Sequence, residues 1–222
     1  MGDGAIFQYS SIVLFQYYPC IIYTIFNIFS IMSYHNLKHN RKSIRLPGWD
    51  YTLPGRYFIT ICVKGGVCYF GKIINGKMNV NKYGGVVERE WLEIEKNRSN
   101  IKLDKHVVMP NHFHGIIIIT HRIKPPNPPE EDINNLTRSG RVFRLKANSI
   151  GSIVGQFKSD VTKQIEKILE NEPITTPYFS WQRNYNDHII RTEKELKNIR
   201  NYIRDNPKNW NDDEFNPLNW KE

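Results

Sequence analysis

Apolar positions along this chain recur at two spacings, and the change from one to the other marks the elements. Tyr57 to Lys64 (YFITICVK) is an unbroken β-branched and aromatic run, which predicts a strand. Gly65-Gly66 predicts a turn, and Val67–Ile74 a second strand. Asn75-Gly76 then predicts a tight hairpin leading into Lys77–Val80. Between Gly85 and Asn97 the spacing becomes helical, with Val87, Trp91 and Ile94 on one stripe. Lys105–Met109 and His112–Thr120 return to strand, divided by Pro110-Asn111. Ile150 to Leu169 carries apolar residues at 150, 153, 154, 157, 161, 165 and 168, an amphipathic helix. Trp181 to Ile190 is rich in aromatics, and its end predicts a strand. Thr192-x-x-Glu195 is a capping box that opens a helix to about Asp205, with Pro207 as its stop. The order β, β, β, α, β, β, α, β, α predicts an α+β sandwich, with helices packed on one face of a mostly antiparallel sheet.

Two segments break this pattern. Residues 122–147 contain Pro125, Pro126, Pro128 and Pro129 among mixed charges and predict a mobile loop. From Gly4 to Asn36 there is no Asp, Glu, Lys or Arg, and the apolar run Ser11–Met32 is about as long as a bilayer span. It lacks the basic start of a signal peptide, and Gln16, Pro19 and Asn27 interrupt it. It reads either as a membrane segment or as sequence ahead of a true start at Met32. The abrupt shift to SYHNLKHNRKSIRLPGWDY favours the second reading. The chain therefore divides into a hydrophobic leader (1–31), a basic arm (32–55), a main domain (56–210) and a tail (211–222).

Composition narrows the class. Of 222 residues, 40% are hydrophobic and 13% aromatic, enough for a packed core and too many for a disordered chain. The three cysteines, Cys20, Cys62 and Cys68, form no CxxC pair, which argues against a disulfide framework or a cysteine zinc site and for reduced thiols in a cytoplasm. Lys and Arg number 31 against 22 acidic residues, a net charge of +9 that favours a polyanionic partner, nucleic acid before membrane.

The sharpest chemical feature is His112-Phe113-His114. On a strand, His112 and His114 point to one face and Phe113 to the other, so the two imidazoles can share a divalent metal. The apolar GIIII that follows suits a central strand that holds them rigidly. Two histidines are a partial site, and a bare HxH is most often two histidines on a strand. A third candidate, Tyr202, lies beside the buried stripe Leu196, Ile199 and Ile203 of the last helix. Asn206 follows one turn later, although the Pro207 after it disfavours helical geometry there. Basic residues surround these elements: Lys158, Arg183, His188, Arg191, Lys194, Arg200 and Arg204, with Lys38, Arg41, Lys42 and Arg45 in the arm. Trp181, Tyr185, Trp210 and Trp220 interleave with them, the mixture of cation and stacking surface that single-stranded nucleic acid needs.

Four strings in this order, VVMPNHFHGIIII, IGSIVGQFKSDVTKQI, WQRNYNDHIIR and IRNYIRDNP, resemble the REP-associated tyrosine transposases, members of the HUH transposases of single-stranded insertion sequences. RKSIRLPGWDYTLPGRYFITICVK and NGKMNVNKYGGVVEREW are similar to that family too, and the likeness extends from about Met32 to Trp210. It implies a ferredoxin-like antiparallel sheet backed by helices. It implies a divalent metal, Mg²⁺ or Mn²⁺, held by His112 and His114, and Tyr202 as the nucleophile. Insertion-sequence relatives carry Gln four residues after the tyrosine as a further metal ligand. Here that residue is Asn206, one methylene shorter with the same amide oxygen.

The implied activity is cleavage and rejoining of single-stranded or hairpin DNA through a 5′-phosphotyrosine, with Arg41, Lys42, Arg45, Lys158, Arg183, Arg191 and Arg204 on the DNA. No small-molecule substrate is implied, and the setting is a cytoplasm and its nucleoid. Relatives include both dimers and proteins that act alone, so a homodimer stays open. Two other readings use the same residues: a catalytically inert single-strand-binding protein on this fold, and a metal-dependent phosphoesterase with water as nucleophile. The latter wants further carboxylates near the histidines, for which Asp104 alone is a weak candidate.

Overall fold

The computed structural model describes residues 46, 48–123, 146–173 and 176–220. The leader, the part of the arm that holds Lys38, Arg41, Lys42 and Arg45, and most of the 122–147 loop lie outside the described residues.

Strand β1 (Gly55–Cys62) is followed by the hairpin β2 (Gly71–Ile74) and β3 (Lys77–Val80), helix α1 (Lys82–Lys96), strands β4 (Ile101–Val108) and β5 (His112–Ile119), helix α2 (Ile150–Leu169), strand β6 (Asn186–Ile190) and helix α3 (Glu193–Asp205). The hairpin turns through Asn75 (φ 51°) and Gly76 (φ 69°), the two left-handed positions that an Asn-Gly pair supplies at low cost. Side chains cap all three helices. Asn81 accepts from the amides of Tyr83 and Gly84, Ser149 from Ser152, and Thr192 from Glu195. The Glu195 carboxylate reaches back to the amide of Arg191 at 2.7 Å.

β4, β5, β1 and β6 form one sheet in that order, and β2 and β3 a separate ribbon. Every neighbouring pair is antiparallel. β4 therefore runs parallel to β1 with β5 between them, and β6 runs parallel to β5 with β1 between them. Two interleaved βαβ units, crossing over through α1 and α2, give the ferredoxin-like order. In β4 the register shifts between Leu103 and His106, a bulge that sets Asp104 off the regular ladder.

The two faces of this sheet are covered differently. On one, α1 and α2 enclose the main core, with Tyr57, Ile59 and Ile61 of β1, Phe113 and Ile117 of β5, Trp91 of α1 and Phe157 of α2. Gly115 is obligatory here, because a Cβ at this position would come within 2.4 Å of the Trp91 ring. On the other face α3 packs through Leu196 and Ile203 on Ile116 and Ile190, a much smaller cluster. The sequence pattern predicted helices on one face only. The structure corrects this: α3 crosses the opposite face. Ile116 to Ile119 is apolar at four consecutive positions and is buried or half-buried throughout, as a strand covered on both faces must be. Among the described residues no helix is long and apolar enough to cross a membrane.

Candidate active site

β5 places His112 and His114 in a central strand, on the face that α3 crosses. Both are buried, with ring centroids 4.6 Å apart. Phe113 between them points the other way, into Trp91 (4.6 Å) and Phe157 (5.6 Å). The β1 partners on the histidine side are Thr60, opposite His114, and Cys62, opposite His112.

Hydrogen bonds orient both imidazoles. Nδ1 of His112 lies 2.9 Å from Asn111 Oδ1. The amide nitrogen of Asn111 is committed to the carbonyls of Gly66 (2.9 Å) and Phe215 (2.7 Å), so its oxygen must face the ring as an acceptor. Nδ1 of His112 therefore carries the proton, and Nε2 presents a bare lone pair. That atom is buried and has no hydrogen-bond partner. His114 places Nδ1 2.8 Å from the Thr60 hydroxyl and Nε2 3.3 Å from the Tyr202 hydroxyl. Phe58 stacks on it at 5.3 Å. Burial depresses both titrations. His112 is held well below its ordinary value, His114 adding a smaller effect, and His114 is pulled down to about 3. Both rings are neutral at physiological pH, the state in which imidazole donates a lone pair.

Tyr202 sits on α3 as the sequence spacing required. Its ring meets His114 edge-on at 5.2 Å and Phe58 at 6.0 Å, and 45% of the residue stays exposed. Burial raises the phenol above its ordinary pKa, and the nearby carboxylate of Asp213 raises it further. Asn206 caps α3 in right-handed helical geometry despite the proline after it, so it does share the Tyr202 face. It is buried and lies against His112, Tyr202 and Asp213, close enough to shift all three titrations. Its Oδ1 nevertheless makes no hydrogen bond of proper geometry.

A bidentate pair fixes the helix that carries Tyr202. Arg200 donates from Nε to both carboxylate oxygens of Asp104, at 3.0 Å each, and so ties α3 to the β4 bulge. Asp104 thus serves α3 rather than the histidines.

Sequence reasoning missed the side chains that finish this pocket. After Pro207 the chain doubles back, and the segment set off as a tail from residue 211 lies over the histidines. Phe215 covers His112 at 4.6 Å and Trp210 approaches it at 6.1 Å. The side chain of Asp213 is only 6% exposed, and its Oδ2 comes within 4.0 Å of His112 Nε2. The signal in the sequence was the acidic run Asp212-Asp213-Glu214, one of two such runs with Glu130-Glu131-Asp132. Among the described residues no group of three or more His, Cys, Asp or Glu side chains is placed to hold a metal ion. The donors that converge are two imidazoles and an amide. Two of their atoms, His112 Nε2 and Asn206 Oδ1, are buried and unsatisfied, as a cation ligand is before the ion arrives. The residues present fit a divalent cation on this observation.

The basic residues separate into two groups. Lys158, on the α2 side, is half-buried, and its Nζ donates to the carbonyls of Gln182 (2.5 Å) and Arg183 (3.3 Å). It braces the 180–183 segment. Arg183 and Arg191 are exposed, and so is Arg204, which pairs with Asp205 and Asn201.

The fold is thus a ferredoxin-like sheet whose polar face brings two strand histidines to a helix tyrosine. No protein-family model matches the chain. An uncharacterized protein of Haemophilus influenzae is 40% identical over 179 residues, which is 80% of this chain and 93% of that protein. The chain belongs to that protein's family. Among solved structures, a REP-associated tyrosine transposase bound to a REP hairpin aligns with 77% of this chain and 73% of its own, at 16% identity and a TM-score of 0.44. A likeness at that level carries neither chemistry nor partner over to this chain.

Proposed function

We propose that this protein is a metal-dependent strand transferase that cuts and rejoins single-stranded or hairpin DNA through Tyr202. The observation that carries the reading is the Tyr202 hydroxyl 3.3 Å from Nε2 of His114, beside the unsatisfied Nε2 of His112. The motif strings that resemble the HUH transposases run through these same residues.

His112, His114 and Asn206 would hold Mg²⁺ or Mn²⁺. Such a cation, when bound, neutralises and polarises a phosphodiester. The half-exposed Tyr202 oxygen, 3.3 Å from His114 Nε2, would stand beside the phosphate so held. That oxygen attacks phosphorus: one P–O bond forms, and the bond to the 3′-oxygen breaks. The products are a 5′-phosphotyrosine and a 3′-hydroxyl: the phenolic proton passes to water at the exposed edge of the ring, and the departing 3′-oxygen takes a proton from water. The bond energy is retained, so another 3′-hydroxyl can reseal the strand without ATP. Arg183, Arg191 and Arg204, with Arg41, Lys42 and Arg45 of the arm, would contact backbone phosphates. Lys158 would contribute through packing.

A second reading has one observation behind it. Asp213 supplies the carboxylate near the histidines that a water-using phosphoesterase would need. One experiment separates the two. Incubation with a labelled hairpin carrying a single-stranded flank and Mn²⁺ is expected to give a covalent protein–DNA adduct that Tyr202→Phe abolishes. Cleavage with no adduct would establish the phosphoesterase, and binding without cleavage an inert module.

A further inference from the structure

The sequence reading ends the site at Asn206, but the fold does not. Beyond Pro207 the chain reverses and brings one carboxylate to the histidines. We infer that Asp213 is a ligand of the cation site, donated by the C-terminal segment; this rests on the proposed function insofar as that reading places a divalent ion at His112 and His114.

Three observations carry the assignment. Asp213 Oδ2 stands 4.0 Å from His112 Nε2. Two donors about 2.1 Å from a shared octahedral ion lie roughly 3.0 Å apart when adjacent and about 4.2 Å apart when opposite, so the two atoms are near enough for one ion to take both once the carboxylate shifts. The atom it faces is the unprotonated, unsatisfied nitrogen that the Asn111 hydrogen bond aims into the pocket, and Asn206 Oδ1 is equally unsatisfied beside it. Finally, the carboxylate's polar neighbours besides the histidine are the Phe215 amide and the Asn206 side chain. Oδ1 accepts from the Phe215 amide at 2.7 Å, and this bond points Oδ2 at the histidines. A carboxylate so buried carries a desolvation cost that a nearby cation would offset. Two neutral imidazoles and an amide bring no charge to a hard divalent ion, and Mg²⁺ and Mn²⁺ favour carboxylate oxygen. Asp213 supplies that charge. The 207–213 reversal makes it available, and the sequence distance from His112 hides it.

The test is Mn²⁺ binding to the full-length protein by titration calorimetry, with no DNA present. The wild-type chain is expected to bind one ion and His112→Ala to lose it. Asp213→Asn keeps the shape and the Phe215 bond and should weaken binding at least about tenfold. Glu214→Gln removes the same charge one residue away and should leave binding unchanged. Asp213→Cys, made in a Cys62→Ser background so that no native thiol stands beside the site, should shift preference toward Cd²⁺, with a thiolate-to-Cd²⁺ charge-transfer band that Cys62→Ser alone lacks. Should Asp213→Asn fail to fold, that band decides the matter. Wild-type affinity in Asp213→Asn, equal weakening in Glu214→Gln, or no band in Asp213→Cys overturns the role of Asp213, while loss in His112→Ala leaves the histidine site standing. A wild-type chain that takes up no Mn²⁺ overturns both.

Discussion

On one side of β5, Phe113 fills the space between Trp91 and Phe157 in a mostly apolar layer, in which Trp91 Nε1 is buried without a partner. On the other, one residue away in either direction, His112 and His114 meet two hydroxyls, two amides and a carboxylate, and two buried polar atoms go unsatisfied. The same backbone serves both sides, because successive strand residues alternate faces. The first side is built mainly from apolar contacts. The second leaves hydrogen-bonding capacity unused, at a cost that stability alone would not justify. The contrast teaches that the α1–α2 core carries the fold and can support a polar face with unsatisfied atoms opposite it.

That division can be broken most directly by truncation on each side. Phe113→Ala should cost about 3–5 kcal/mol in urea unfolding. Thr60→Ala, which removes the hydroxyl from His114 on the opposite face, should cost about 1 kcal/mol. Equal losses would mean that the two faces share the load.

Acid should act on the polar face. His112 and His114 titrate below their ordinary value in the folded protein, so the unfolded chain binds more protons as pH falls. Their contribution is fully present above about pH 6.5 and is lost progressively from there toward the folded value of about 3 for His114. The slope is up to about 1.4 kcal/mol per pH unit for each histidine. Asp213, raised by burial, works in the opposite sense, but only where it takes up its own proton. Urea midpoints measured from pH 7.5 down to 5 should therefore fall below pH 6.5. The double variant His112→Gln with His114→Gln should flatten the curve.

Arg200→Ala should cost less than about 1 kcal/mol, because its pair with Asp104 is partly exposed. It should still lower adduct formation through Tyr202, since the pair fixes α3. A variant with full adduct yield would show that α3 is held by Leu196 and Ile203 alone. The smallest effect expected is electrostatic. Arg204→Ala, on the α3 side, should reduce the salt slope of hairpin binding by about one. Lys158→Ala, on the α2 side, should leave the slope unchanged. Equal slopes for the two would place DNA on both faces.

Much of this was legible in the chain. The Asn75-Gly76 hairpin, the helix Ile150–Leu169 and the shared face of His112 and His114 follow from local rules: turn chemistry, a 3.6-residue stripe and a two-residue alternation. The spacing of Tyr202 from Asn206 was legible as one helical turn, and only the proline after Asn206 argued against a common face. The side of the sheet that α3 covers was not read, although the four isoleucines from Ile116 to Ile119 already required cover on both faces. Of the histidines' partners, Asn206 came from the motif resemblance, while Thr60 and Asp213 were out of reach of sequence alone. Thr60, Asn206 and Asp213 lie 54, 94 and 101 positions from their histidine neighbours His114, His112 and His112. Local pattern fixes which residues share a face, because backbone geometry repeats within a few residues. Tertiary structure alone decided that the chain beyond Pro207 turns back to set a carboxylate beside His112, because that path depends on the packing of Phe215 and on the two bonds from Asn111, and no local period encodes either.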